Sequence, residues 1–269
     1  MTEGGTMRLG FIGTGTITTA VVTGLCTAAE TPEHILVSPR NAERAAGLAE
    51  AFTQVAVAKD NQEVIDGSDW VFLAVLPKMA QEVLSPLRFR SGQRIVSLIA
   101  TLSAAELADL VAPASAIVRV VPLPPVARHL GPIALCPPDP EVAELLDRIG
   151  SAVEVEDERR LFALWSVTAL MAPYFALLAK TTDWLAAQGV EAAAGSRYAG
   201  AMFHGLSVFG TEAGAEGFDP LTKEHQTPGG LNEQALRELA AAGWYDEVAT
   251  VLDNILARLE GRAAYHPDK

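Results

Sequence analysis

The sequence predicts an α/β fold class: an N-terminal doubly wound parallel sheet over residues 1–155, followed by an all-helical C-terminal domain over residues 156–269. Three observations predict it. From Arg8 onward, short apolar runs alternate with segments of helical spacing. One run, "DWVFLAVLP", is almost wholly apolar, as a strand covered on both faces of a parallel sheet must be. Beyond Glu158 the strand-like runs cease and only helical spacing remains.

The elements follow in order. "RLGFIG" reads as a buried strand, "TITTAVVTGLCTA" as a helix, "HILVSP" as a second strand and "AERAAGLAEAF" as a second helix, which is a βαβ opening. "QVAVA" and the turn-like "KDNQ" lead into "DWVFLAVLP", which Pro77 stops. "KMAQEVLSPL" reads as a helix, "QRIVSLIA" as a strand, "SAAELADLV" as a helix, and "AIVRVVP" and "GPIALCP" as two further strands. Strands alternating with helices over such a length imply a doubly wound sheet with right-handed crossovers. In the second domain "RRLFALWSVTALMAPYFALLAKTTDWLAAQGV", "AGSRYAGAMFHGLSVFGTEAG", "NEQALRELAAAGW" and "DEVATVLDNILARLEGR" carry helical spacing. Several of these are apolar around much of their circumference and must be buried in a large core or against another chain. Homodimerisation through this domain is the favoured reading; a monomeric bundle packed on its own sheet domain is the alternative.

Bulk properties narrow the function classes. The 269 residues suffice for two domains, and 20% charged against 49% apolar residues is a globular composition. A net charge of −13 argues against a nucleic-acid partner, which needs clustered Lys and Arg. Cys26 and Cys136 stand alone, without disulfide or metal-ligand spacing. No long uninterrupted apolar stretch suggests a membrane partner, Met1 to Thr6 reads as a loose leader, and a cytoplasmic location is expected.

The turn "GFIGTG" joins the first strand to the first helix. Gly13 permits a tight turn, Gly15 permits close approach of backbone to a diphosphate, and the helix from Thr16 offers free N–H groups and a positive dipole end. This is the Rossmann-type dinucleotide fingerprint, except that Thr18 stands at its third glycine. Hydroxyls of Thr14 and Thr16 add candidate donors; a plain strand-to-helix turn is the other reading. The second strand ends at "VSPRN" with Ser38, Arg40 and Asn41 and no Asp or Glu to hold a ribose 2′-hydroxyl. A guanidinium on a 2′-phosphate contributes about 1.5–3 kcal/mol, so NADPH is expected over NADH, which stays the alternative cofactor. Arg40 as a solvated surface residue is the competing reading.

Four segments together resemble the pyrroline-5-carboxylate reductases: "LGFIGTGTI", "SDWVFLAVLPKMAQEVL", "IVRVVPLPP" and "TPGGLNEQALREL", in family order from end to end of the chain. The resemblance implies reduction of a cyclic imine by a nicotinamide cofactor, as in L-proline formation, and helical domains intertwined between two subunits. It places the nucleotide on Gly13, Thr14, Gly15, Thr16 and Ile17, on Ser38, Arg40 and Asn41, on Asn61, and on Ala74, Val75, Leu76 and Pro77. Asn61 reads equally as a helix N-cap. The family's substrate loop falls on Thr227, Pro228, Gly229, Gly230, Leu231 and Asn232, where the glycines suit an anion nest for a substrate carboxylate. The same four residues "TPGG" also make an ordinary turn before a helix.

Departures gather at the chemistry. "AVLP" has Leu76 where the family has Lys, "VPLPP" has Leu123 where it has Asn, "MAPYFAL" replaces a polar Ser-Gly stretch, and Asn232 replaces a Thr. The substrate pocket is therefore expected to be more apolar, suiting a bulkier or less polar imine. Candidate proton donors are Tyr174, Thr227 and Asn232, with His204 and His225 more remote, and Tyr174 also reads as core. Two rivals are a related reductase or hydroxy-acid dehydrogenase, for which Lys180 is the one plausible catalytic lysine, and a nucleotide-binding protein without catalysis. No metal site is expected.

Overall fold

The computed structural model describes residues 7–99 and 101–264, the side chain of Ala215 apart; the expected leader at Met1–Thr6 lies outside them. The chain forms two compact units, one ending at Trp165 and the other beginning at Ser166.

The first unit is an eight-stranded sheet with β1 (Arg8–Ile12), β2 (His34–Val37), β3 (Val55–Val57), β4 (Trp70–Leu73), β5 (Arg94–Ser97), β6 (Ala116–Val121), β7 (Pro132–Cys136) and β8 (Ser151–Glu154). Their spatial order is β3-β2-β1-β4-β5-β6-β7-β8. All neighbours pair in parallel except β6 and β7. That antiparallel pair has a simple cause: residues 122–131 hold only a turn of 3-10 helix, Pro124–Arg128, too short for a crossover to a parallel neighbour.

Helices α1 (Thr16–Thr27), α2 (Ala42–Ala51), α3 (Asn61–Asp66), α4 (Ala80–Leu84), α5 (Ala104–Val111) and α6 (Pro140–Asp147) connect the strands, and α7 (Glu158–Val167) spans the division between units. Alternate strand residues feed two cores, as the two-residue period requires. Leu9, Phe11, Trp70, Phe72 and Val96 pack with α1, α2 and α6, whereas Ile12, Val71, Leu73 and Ile95 pack with α3, α4 and α5. The register pairs Phe11 with Phe72, whose rings stack at 4.4 Å. The sheet is thus doubly wound.

Three elements of this unit escape the sequence reading. α3 starts inside the turn-like "KDNQ" because the Asp60 side chain accepts from the Glu63 N–H and caps a helix there. α6 is likewise capped, by Asp139. β8 is short and largely exposed, with no apolar signature. The strand expected at "QRIVSLIA" covers only Arg94–Ser97, and Ala100 lies outside the described residues.

The second unit holds α8 (Met171–Ala187), α9 (Ala192–Glu212), α10 (Asp219–Glu224), α11 (Leu231–Ala241) and α12 (Trp244–Leu259). The run Glu158–Ala187 is by length and composition apolar enough to cross a membrane, and most of it is exposed. Among the described residues of this unit only Ser166, Gly195 and Ala199 are buried.

Candidate functional site

The turn after β1 is built around Gly13. Its φ of +100° lies in the left-handed region, and a Cβ there would stand 2.5 Å from the Ala74 carbonyl oxygen. Both the conformation and the neighbouring strand end therefore require glycine. Gly15 differs: its φ is −93°, and a Cβ would meet no atom of the chain within 4 Å. Nothing inside the protein explains the missing side chain, but the space above it does, because a ligand closing on the backbone needs that space empty. Gly15 is also the N-cap of α1 and supplies no side-chain acceptor. α2, α3, α5 and α6 are each capped by a side chain of their own, so α1 alone among these keeps its first N–H groups for another acceptor.

Ser38 and Thr14 support this turn from below. Ser38 is fully buried; its hydroxyl accepts from the Gly13 N–H at 2.9 Å, and its carbonyl accepts from the Thr14 hydroxyl at 2.7 Å. The expectation that the Thr14 hydroxyl is a phosphate donor is corrected accordingly, since its hydrogen is spent inside the chain. Ser38 holds the loop and presents no free hydroxyl of its own. Thr18, at the position of the fingerprint's third glycine, is buried and donates to the Gly13 carbonyl at 2.6 Å, tying helix to strand end. The hydroxyl replaces close packing by a hydrogen bond.

A cavity of about 350 Å³ opens over the turn, lined by Gly13–Thr16, Arg40, Asn41, Arg44, Ala74–Leu76 and Met79. It lies where the chain leaves β1 for β2 on one side and β4 adjoins on the other, the switch point at which open parallel sheets bind ligands. Arg44, on α2, was not read from the sequence, and no local pattern signals it. Its guanidinium donates to the Thr16 hydroxyl at 2.7 Å, bridging α2 to the open end of α1. Arg40 reaches across to the Met79 sulfur at 3.2 Å, a weak acceptor. In a chain with 33 acidic against 20 basic residues, neither arginine has a carboxylate at ion-pair distance among the described residues. Asn41 adopts φ +68° and caps α2 through the Arg44 N–H at 3.5 Å. The open backbone at Gly15, the uncapped helix and two unpaired guanidiniums fit a diphosphate and one further phosphate.

Other expected residues lie elsewhere. Asn61 is the first residue of α3 and does not line the cavity; its expected role as N-cap is corrected, because the preceding Asp60 is the cap. Ile17 and Pro77 are also outside the lining, Ile17 in the first turn of α1 and Pro77 at the start of a 3-10 turn. Leu76 is 60% exposed on the cavity wall, an apolar side chain facing open space. Burial pushes the Cys26 thiol up to about 11 and the Cys136 thiol upward as well, so neither is an activated nucleophile.

In the second unit, Thr227 to Gly230 form a turn closed by the Gly230 N–H donating to the Thr227 carbonyl at 2.8 Å, with Gly229 at φ +73°. The Asn232 amide donates to the His225 carbonyl at 3.0 Å, fastening the loop, while Thr227 is exposed. The Tyr174 ring packs edge-on against Phe203, with centroids 6.0 Å apart. Lys180 is exposed on α8.

The fold and the cavity define the class: a dinucleotide-binding oxidoreductase of sheet-then-helices architecture. Comparison with known proteins narrows it. A family model described as NADP oxidoreductase coenzyme F420-dependent matches residues 8–101. The pyrroline-5-carboxylate reductase of Corynebacterium melassecola is 31% identical over 248 residues, covering 86% of this chain and 90% of that one. Among solved structures, a pyrroline-5-carboxylate reductase of Coxiella burnetii superposes with TM-score 0.85 at 20% identity, covering 97% of this chain and all of that one. The Plasmodium falciparum pyrroline carboxylate reductase, solved with NADP bound, gives TM-score 0.77 at 18% identity over 96% and 98% of the two chains. The chain belongs to the pyrroline-5-carboxylate reductase family and is an NAD(P)H-dependent oxidoreductase of the class acting on CH–NH bonds.

Proposed function

We propose that this protein is an NADPH-dependent reductase of cyclic imines, working on a five-membered C=N ring of the kind that 1-pyrroline-5-carboxylate contains. The observation that carries the reading is the cradle over Gly15: open backbone, an uncapped α1, and Arg40 and Arg44 without carboxylate partners. Two guanidiniums on one phosphate group favour the coenzyme with a 2′-phosphate, and no acidic residue stands at the end of β2 to favour NADH.

When bound, the reduced nicotinamide supplies the hydride. The chain's own contribution is to hold and to dry the site. N–H groups of the first turn of α1 face the diphosphate, Arg40 and Arg44 hold the outer phosphate, and Ala74, Val75 and Leu76 form an apolar wall that excludes water. The loop Thr227–Asn232 meets the substrate, as the family resemblance implies. The imine carbon takes the hydride and its nitrogen takes a proton; of Tyr174, Thr227 and Asn232, Thr227 is the donor supported here, because it is exposed on the loop while the Asn232 amide is engaged with His225.

The working unit is a homodimer joined through the second unit. The support is energetic: helices α8, α10, α11 and α12 contain no buried residue, and Phe175, Trp184 and Tyr198 are more than 60% exposed. Apolar surface of that extent in one helical layer is what a partner subunit covers. The two thiols are buried and unpaired, which suits a cytoplasmic enzyme.

The test is a fluorescence titration with NADPH, followed by absorbance at the reduced-nicotinamide band with 1-pyrroline-5-carboxylate and with carboxylate-free 1-pyrroline. Saturable binding and oxidation with at least one ring are expected. Absence of binding, or binding without oxidation on either ring, overturns the proposal.

A further inference from the structure

The glycine turn at Thr227–Gly230 has the geometry of an anion nest, and the protein already fills it. The Gly229 N–H, aimed outward by a φ of +73°, donates to Oε2 of Glu233 at 2.6 Å. The Gly230 N–H is taken by the Thr227 carbonyl. Oε1 of Glu233 accepts from Arg237 at 2.7 Å, so the carboxylate is held from both sides, one turn apart on α11. Glu233 is the third residue of that helix and reaches back past the N-cap Gly230, the anionic half of a capping box. An incoming carboxylate finds the nest's two N–H groups satisfied and a fixed negative charge in its place.

Two further features agree. The side chain after the nest is Leu231, 85% exposed, so the loop presents an apolar group where it meets solvent. In the sheet unit, the wall of the coenzyme cavity that continues from Ala74 ends in the exposed side chain of Leu76, and the charged residues lining that cavity are the two arginines.

We propose that Glu233 is a specificity-determining residue that occupies the loop's anion site, and that the substrate is accordingly a cyclic imine bearing no carboxylate on its ring. A neutral or protonated, largely apolar imine gains from the same loop: the carboxylate of Glu233 attracts an iminium, and Leu231 offers apolar contact. This rests on the reading of Thr227–Asn232 as the substrate loop.

The experiment compares kcat/KM for 1-pyrroline and 1-pyrroline-5-carboxylate, with NADPH binding followed separately by fluorescence, in wild type, Glu233→Ala and Glu233→Gln. The wild type is expected to prefer 1-pyrroline by tenfold or more, about 1.4 kcal/mol. Glu233→Ala empties the nest and moves the ratio at least tenfold toward the carboxylated ring, chiefly through KM. Glu233→Gln removes the charge and keeps an acceptor for Gly229, so it moves the ratio the same way by a smaller factor and serves if the alanine variant does not fold. A wild-type preference under tenfold, or a ratio unmoved by the substitutions that fold, overturns the inference while leaving the proposed reaction intact. Coenzyme binding with neither ring reduced removes the reaction, and this inference with it.

Discussion

In the sheet unit Leu9, Phe11, Phe72, Leu73 and Ile95 are inaccessible to solvent, and two cores flank the strands. In the helical unit the large side chains Phe175, Trp184, Tyr198, Phe209 and Phe218 lie open. Full burial of one such side chain stabilises by about 1.5–3 kcal/mol, and the helical unit forgoes most of that within its own chain. The contrast teaches that the two units get their stability differently. The first satisfies itself, because alternating strands can be covered on both faces by helices of the same chain. The second leaves its large apolar side chains open, and that is the surface the proposed partner subunit would cover.

The comparison breaks most directly at the exposed helical face. The double substitution Phe175→Glu and Trp184→Glu places two charges where the partner subunit is proposed to pack, and each costs several kcal/mol if buried unpaired. Sedimentation should show the dimer dissociation constant raised by roughly a thousandfold or more, with the melting temperature lowered at a given protein concentration. An unchanged dimer would place the interface elsewhere.

Within the sheet unit, Gly13 and Gly15 separate folding from binding. Gly15→Ala adds a methyl group to open space and a permitted conformation, so the melting temperature should hold while NADPH affinity falls by roughly five- to 150-fold, about 1–3 kcal/mol. Gly13→Ala meets the Ala74 carbonyl and an unfavourable φ, and should cost about 2–4 kcal/mol of stability in urea denaturation. Equal effects of the two on stability would refute the division of roles.

Arg40→Ala and Arg44→Ala sharpen the same site. Each should weaken NADPH by roughly ten- to a hundredfold and NADH by less than about threefold, measured by fluorescence titration. If both coenzymes weaken alike, the arginines serve the diphosphate instead.

The smallest effect is expected at the surface ion pair of Arg8 and Asp69, 2.8 Å apart and nearly half exposed. The Arg8 guanidinium holds the Asp69 carboxyl below the usual carboxylate range. A depressed folded-state value contributes stability that is complete above about pH 4 and is lost as the pH falls through the folded-state value. Asp69→Asn should cost under about 1 kcal/mol at neutral pH, after allowance for solvent screening, and the difference from wild type should vanish in acid.

Much of the sheet unit was legible because its signals are local and periodic. "RLGFI" and "WVFL" announce buried strands, and "GTG" between strand and helix announces the turn. β8 was not legible: "SAVE" is short and its residues are largely exposed, so no apolar pattern marks it. α3 was legible in principle, since Asp60 with Glu63 three residues on is a cap signal hidden inside what reads as a turn. At the site, Glu233 had a comparable signal, an acidic residue in the first turn of a helix after two glycines. Arg44 had none, because what makes it a site residue is its reach to Thr16, which sequence spacing does not encode.

By itself, then, the sequence determined the order of strands and helices, the glycine turn and the change of architecture after Glu158, because apolar periodicity and backbone freedom are properties of a residue and its near neighbours. Only the tertiary structure decided which polar groups remain available. Thr14 and Ser38 are consumed in holding the turn, Arg40 and Arg44 are left without carboxylates over the open end of α1, and Glu233 closes the nest at Gly229. Hydrogen bonds form between whichever groups folding brings within about 3 Å, and that proximity is a property of the fold and not of the chain.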